Sequence, residues 1–152
     1  MLSDIINNKV LIVPACTWVI AQLLKMLIAL AKGKGLDLNY MVSSGGMPSA
    51  HSAVVSSLAT AVAMTQGLGS ATFGIAVVLA LIVMYDSAGV RQSVSQQSVV
   101  LNRIVRELRQ HQPLINLESD LKELVGHTQF EVIVGSALGI LIAWLWLFLA
   151  SL

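Results

Sequence analysis

The stretch VLIVPACTWVIAQLLKMLIALA, residues 10–31, decides the class of this protein. At about 1.5 Å per residue, a helix of this length matches the roughly 30 Å hydrocarbon core of a bilayer. The rest of the 152-residue chain agrees, since it is 56% hydrophobic and 11% charged with a mean hydropathy of +0.80. An ordinary soluble domain carries about 25% charged residues. We therefore expect a membrane-embedded chain and exclude a water-soluble monomer.

Three further apolar segments complete the predicted membrane domain. Residues 52–65 and 68–84 are separated by a Gln-Gly pair and are expected to form a helical hairpin. Residues 132–152 form the last spanning candidate, with two tryptophans near its far end, where indoles favour the membrane boundary. The sequence thus predicts an all-α integral membrane bundle of about four transmembrane helices, in one domain over residues 1–152.

A polar segment, residues 86–126, separates the third and fourth predicted spans. Within it apolar residues recur at helical spacing, at Val100, Leu101, Ile104, Val105 and Leu108. This periodicity predicts an amphipathic helix lying along the membrane interface. A packed lid or a dimer contact is the alternative for the same helix.

Charge and cysteine content exclude several other classes of protein. Nine Lys and Arg against eight Asp and Glu give a formal net charge of +1, which is too balanced to indicate a nucleic-acid partner. The single cysteine, Cys16, excludes an intrachain disulfide framework. The histidines and acids lack the compact spacing of a metal site, so neither a metal nor another cofactor is expected.

Four membrane crossings bring distant parts of the sequence to one membrane face. The ends of the first and third spans and the starts of the second and fourth share that face. The unusual polar residues of the chain lie at these four places: Lys25, Lys32, residues 43–51, Asp86, Arg91, His127 and Glu131. The sequence therefore predicts one composite site.

The stretch SSGGMPSAH, residues 43–51, has the composition of an anion site. Glycines such as Gly46 let the backbone approach a ligand, and Ser49 is placed to begin a helix whose N-terminal amides attract phosphate. His51 would lie in the first turn, where it could donate a proton. A capped helix with an ordinary interfacial histidine is the alternative.

His127 and Glu131 are four residues apart, so on a helix they would share one face. The carboxylate could then fix one ring nitrogen and leave the other for a nucleophile or general base. A surface His/Glu pair at a helix start is the alternative.

Three more charged residues are candidates for the same site. Lys25 lies about 10 Å before the end of the first span, where an ammonium must snorkel to the interface or meet an anion. Arg91 could make a forked contact to phosphate, or pair with Asp86 or Glu131. Asp86 could equally orient a base.

Three motifs together resemble a known family: SGGMPSAHSA at 44–53, YDSAGVR at 85–91 and GHTQFEV at 126–132. The chain is similar to the divergent, short branch of the type 2 phosphatidic acid phosphatases, which are related to vanadium-dependent haloperoxidases. The resemblance implies phosphate contact by Ser49 and its backbone, and acid catalysis by His51.

The chain departs from the main family at two of its motifs. Lys25, six residues, Lys32 and Gly33 stand where the main family has Lys, six residues and Arg-Pro. Arg91 has no histidine six positions later, whereas His127 and Glu131 match the second half of the third motif with Glu for Asp.

The resemblance implies a membrane lipid phosphate phosphatase that needs no metal. His127 would form a phosphohistidine, His51 would protonate the leaving oxygen, and Lys25, Lys32 and Arg91 would stabilise the phosphoryl oxygens. Candidate substrates are phosphatidate, phosphatidylglycerophosphate and a polyprenyl diphosphate. A catalytically inactive scaffold or assembly protein of the same fold, and a lipid-binding module, are the alternative functions.

Orientation follows from the basic residues. The proposed active face carries most of the Lys and Arg, whereas the opposite face has only Lys9. Because positive residues favour the cytoplasm, a cytoplasmic active face is expected. Four helices make a small bundle, so either the polar segment folds into it or a second copy completes it, and of the two a homodimer is expected.

Overall fold

The computed structural model describes residues 2–31, 33, 46–111 and 128–151, and these residues are almost entirely helical, with no strand among them. In chain order the helices are α1 (Leu2–Ile6), α2 (Lys9–Ala31), α3 (Ala50–Gln66), α4 (Ala71–Ala88), α5 (Val90–His111) and α6 (Gln129–Leu149). The all-α prediction is confirmed. The four predicted spans correspond to α2, α3, α4 and α6, with shifts of about one turn or less at their ends.

Three of these helices, α2, α4 and α6, are long and apolar enough to cross a membrane. The fourth, α3, has 17 residues and packs against all three of the others. Within α3, every residue of which is described, Met64 is the one exposed large apolar side chain. The protein is therefore an integral membrane bundle with α3 at its centre.

The outward surfaces of the bundle are apolar, as contact with lipid requires. Exposed side chains include Leu23 and Leu27 of α2, Ile75 and Ile82 of α4, and Ile133 and Leu141 of α6. An exposed surface this apolar is unsuited to water, whereas helices can present it to acyl chains because their backbone groups are bonded internally.

Side-chain caps determine where three of the helices begin. The Ser49 hydroxyl accepts from the Ser52 N–H at 3.4 Å and starts α3, and the Ser70 hydroxyl accepts from the Phe73 N–H at 3.2 Å and starts α4. Thr128 starts α6 in the same way. Each cap satisfies an N–H group that the first helical turn leaves without a partner in the helix.

The closest helix contact is between α3 and α6. A Cβ atom on Gly135 would overlap the carbonyl oxygen of Ser49, and one on Gly139 would overlap the carbonyl oxygen of Ala53. The two glycines are four residues apart and lie on one face of α6, the G-x-x-x-G arrangement that lets membrane helices approach backbone to backbone. This contact fixes the start of α3 against the start of α6.

The predicted amphipathic helix is confirmed as α5, which begins upstream of the periodic segment, at Val90. Val100, Leu101 and Ile104 leave an apolar surface exposed along it. Its described ion pair, Arg103 to Glu107 at 3.4 Å, is well exposed, so it contributes little to stability.

Candidate functional site

Contacts between the helices place four helix ends on one side of the bundle. The Ser49 N–H donates to the Glu131 carbonyl oxygen at 3.2 Å, which joins the starts of α3 and α6. Gly46 lies against Lys25 near the end of α2. Near the end of α4, the Met84 sulfur lies 2.9 Å from the hydroxyl oxygen of Ser136, in the second turn of α6. The described ends of these four helices therefore lie together.

Lys25 is buried, with 5% of its surface exposed, although it carries a charge within a spanning helix. It lies on the inward face of α2 together with Ala21 and Gln22. From the sequence, the Lys25 side chain could either snorkel to the interface or face the protein. In the structure it faces the protein. The carboxylate of Glu131 lies within electrostatic range of the ammonium.

The backbone at Gly46 lies against the Lys25 side chain. A Cβ atom at this position would lie 3.6 Å from Cδ and 3.7 Å from Cγ of Lys25, so the backbone packs directly on the lysine stem. The φ angle of Gly46 is +94°, which L-residues rarely adopt. Glycine is therefore required here for its backbone conformation.

Ser49 is fully buried and its polar groups serve the fold. Besides the bond from the Ser52 N–H, its hydroxyl oxygen accepts from the Ser52 hydroxyl at 3.0 Å. Its own N–H donates to the Glu131 carbonyl oxygen. Direct phosphate contact by the Ser49 side chain stays a prediction, whereas its role as the cap of α3 is visible. The cap directs the positive end of the α3 dipole toward the turn at Gly46.

Glu131 belongs to a capping box at the start of α6. Its Oε2 accepts from the Thr128 N–H at 3.1 Å, and the Thr128 hydroxyl accepts from the Glu131 N–H at 3.3 Å. This T-x-x-E pattern starts the helix at Gln129, two residues after His127. The predicted pairing of His127 with Glu131 stays a prediction, since the structure describes α6 and its cap from Thr128 onward. His127 itself lies outside the described residues.

The remaining predicted residues are distributed as follows. His51 is exposed in the first turn of α3, and Asp86 is half-buried near the end of α4. Arg91 lies in the first turn of α5, and its side chain is outside the described part of the structure. Lys32 lies outside it as well. The structure thus brings together Lys25, Gly46, Ser49 and Glu131, which we call the polar cluster.

Metal binding finds no support in the described ranges, where no three His, Cys, Asp or Glu residues form a group able to hold an ion. Because His127 is outside those ranges, metal independence stays a prediction.

Two glycines that position the polar cluster are not among the residues identified from the sequence. Gly135 and Gly139 hold α3 against α6, and their G-x-x-x-G spacing is readable in the sequence. The T-x-x-E capping box at Thr128 is a second readable signal.

The fold and the cluster define a class: an all-α integral membrane protein with a buried cation beside a glycine turn, where the ends of its helices meet. The chain belongs to the divergent PAP2 family, whose model matches residues 6–142. This confirms the resemblance seen in the motifs. The chain is 35% identical to the uncharacterized membrane protein YuiD of Bacillus subtilis (strain 168), in a match covering 91% of this chain and 94% of that protein. No solved structure shows significant similarity to the chain.

Proposed function

We propose that this protein is a membrane lipid phosphate phosphatase, which hydrolyses a phosphomonoester or diphosphate of a lipid through a phosphohistidine. The proposal depends chiefly on one observation, the burial of Lys25 beneath the Gly46 turn at the N-terminus of α3. Membership of the divergent PAP2 family supports a phosphatase-related membrane protein.

The position of Lys25 indicates an anion as its ligand. It precedes Ala31, the last residue of α2, by six positions, so it lies about 9 Å below that end. A charged residue at such a depth is costly and usually marks a functional site. Glu131 supplies one negative charge nearby, but this carboxylate also caps α6. A phosphate at the polar cluster would add a second anion, held by the ammonium and by the amides of the first turn of α3.

The chemistry proceeds in two displacements. An imidazole nitrogen of His127 attacks phosphorus, and the bond from phosphorus to the ester oxygen breaks as His51 gives that oxygen a proton. Water then attacks the phosphohistidine while His51 takes a proton from it, the P–N bond breaks, and phosphate leaves with both histidines restored. Glu131 orients His127 and Asp86 supports the site from the end of α4. Lys25, Lys32 and Arg91 stabilise the charge on the equatorial oxygens, which is the main contribution expected for phosphoryl transfer.

Phosphate release by the purified protein in lipid nanodiscs tests this function. The panel contains phosphatidate, phosphatidylglycerophosphate and a polyprenyl diphosphate, each with chelator and with vanadate. We expect release from at least one of them, insensitivity to chelator and inhibition by vanadate. His127→Ala and His51→Ala should each lower the rate by about 100-fold or more.

His111→Ala is the matched control, because His111 ends α5 and has no assigned role. It should keep the activity of the wild type. Equal release by the wild type, His127→Ala and His51→Ala would refute the phosphatase.

A catalytically inactive scaffold is the second candidate function. The observation that favours it is the structural use of Ser49 and Glu131, whose described hydrogen bonds start α3 and α6. No turnover of any lipid phosphate, with the variants folded as the wild type is, would support this scaffold. Tight phospholipid binding without turnover would support a lipid-binding module instead.

The protein is located in a membrane. We propose that the polar cluster faces the cytoplasm. Basic residues on that side support this orientation, among them Arg103 and Arg106 of α5, whereas Lys9 lies at the opposite end of α2. We further propose that the partners are membrane lipids, a lipid phosphate substrate and a second copy of the chain. No nucleic-acid partner is proposed.

A further inference from the structure

A groove of about 340 Å³ runs between α3 and α4 on the lipid-facing side of the bundle. Ala59 and Ala63 of α3 form its floor, and Phe73, Val77 and Met84 line it from α4. This volume lies within the range of ligand sites, and the lining is mostly apolar, as in such sites. The groove exists because the alanines are too small to fill the space beside the larger side chains of α4.

The bilayer, rather than water, borders this groove. On α4 the neighbouring side chains Ile75 and Ile82 are 68% and 62% exposed, and α4 is apolar enough to span the membrane. A hydrocarbon chain is the ligand chemistry that such a surface can accept, because a polar group there would lose its hydrogen bonds to water.

Met84 and Ser56 line the end of the groove that is nearer to the polar cluster. The Met84 sulfur lies 2.9 Å from the Ser136 hydroxyl oxygen and 4.0 Å from that of Ser56. On α6, Ser136 lies five residues after Glu131. On α3, Ser56 lies seven residues after the cap residue Ser49. The inner end of the groove is therefore about 8–10 Å below the polar cluster, measured along the helices.

We infer that this groove binds one hydrocarbon chain of the lipid whose phosphate occupies the polar cluster, an inference that rests on the proposed function. A lipid with its phosphate at the cluster has its chains directed into the bilayer, along α3 and α4. The groove begins at the depth where such a chain begins. It extends from Met84 to Phe73, eleven residues or about 16 Å of α4, and therefore favours long chains over short ones.

Photolabelling tests the groove without requiring turnover. The full-length protein in nanodiscs receives phosphatidate with a diazirine in one acyl chain, or phosphatidylcholine with the same modified chain. We expect the phosphatidate probe to label the segment from Phe73 to Met84 at least five times more than the phosphatidylcholine probe does. Equal labelling by the two probes would mean that the groove holds only bulk lipid, and would overturn the inference.

A substitution that fills the groove gives the second measurement. In Ala63→Leu, the added atoms occupy space that the chain would use, so specific labelling should fall at least fivefold. The KM for dioleoyl phosphatidate should rise about tenfold through lost burial of methylene groups, while that for dihexanoyl phosphatidate stays unchanged. Ala15→Leu, on the exposed surface of α2, which contributes no residue to the groove, is the matched control and should change neither.

The outcomes separate this inference from the proposed function. Specific labelling without hydrolysis of any lipid phosphate would refute the phosphatase and keep the groove. Hydrolysis with equal labelling by both probes, or with no difference between the two phosphatidates in Ala63→Leu, would refute the groove and keep the phosphatase. The comparison of the two probes uses the wild type, so it decides the matter even if Ala63→Leu fails to fold.

Discussion

Replacing Gly139 by alanine should separate α3 from α6 and destabilise the bundle. The new Cβ atom would overlap the Ala53 carbonyl oxygen and lie 2.8 Å from the carbonyl carbon and 2.9 Å from Cα of Ala53. Because carbon atoms in contact are about 3.5–4.0 Å apart, the helices must separate by roughly 1 Å. All three atoms belong to the backbone, so no side-chain rotation can relieve the overlap.

The expected decrease in the free energy of unfolding combines two effects of this separation. Overpacking of a tight contact typically costs about 1–3 kcal/mol. The hydrogen bond from the Ser49 N–H to the Glu131 carbonyl oxygen, 3.2 Å long, would stretch as well, at a cost of about 1 kcal/mol. We therefore expect Gly139→Ala to lower the free energy of unfolding by about 2–4 kcal/mol.

Equilibrium unfolding with SDS in mixed micelles measures this change. Tryptophan fluorescence reports it, because Trp18 lies on α2 and Trp144 and Trp146 lie on α6. Gly74→Ala is the matched control, since Gly74 is in α4 and a Cβ atom there would meet nothing within 4 Å beyond the backbone of its own helix. It should be neutral or stabilise by up to about 1 kcal/mol through helix propensity.

The reasoning on the α3–α6 contact would be refuted by either of two results. One is a Gly139→Ala protein within about 0.5 kcal/mol of the wild type, a difference too small for an overpacked contact. The other is a Gly74→Ala protein that loses as much stability as Gly139→Ala does.

Three further predictions concern the capping box, the buried cation and the orientation. Thr128→Ala should lower the free energy of unfolding by about 1 kcal/mol in the same SDS titration, because it removes the hydroxyl that accepts from the Glu131 N–H; no change would contradict the role of this cap. Lys25→Met keeps the length and packing of the side chain but removes its charge, so phosphate release should fall by about 100-fold or more while stability changes by less than about 1 kcal/mol; full activity would exclude Lys25 from the phosphate site. Reporter fusions should place both ends of the chain outside the cytoplasm, and both ends inside would overturn the proposed orientation.

The class of the fold could be predicted from the sequence because it depends on local composition. The apolar runs around Trp18 and Trp144 are long enough to span a bilayer whatever they pack against. The spacing of Val100, Leu101 and Ile104 predicts an amphipathic helix for the same reason, since periodicity is a property of a single segment. The start of α6 is also readable, from the capping box at Thr128.

The polar cluster could be predicted only in outline. Four membrane crossings require Lys25, Ser49 and Glu131 to lie on one side, but sequence spacing alone suggested that His127 and Glu131 share a helix. The structure starts that helix at Gln129, because Glu131 caps it through the Thr128 N–H. These hydrogen bonds give Glu131 a structural role that the four-residue spacing does not reveal.

Local composition alone predicts a helical protein that enters a membrane, because hydropathy and helix length depend only on neighbouring residues. The inward direction of Lys25, against Gly46, is visible in the packed structure alone, since an isolated helix could equally let the lysine snorkel to the interface. The packed structure also places α3 at the centre, where Gly135 and Gly139 admit its backbone. These features depend on which helix surfaces meet, and that choice is made by close packing among residues far apart in the sequence.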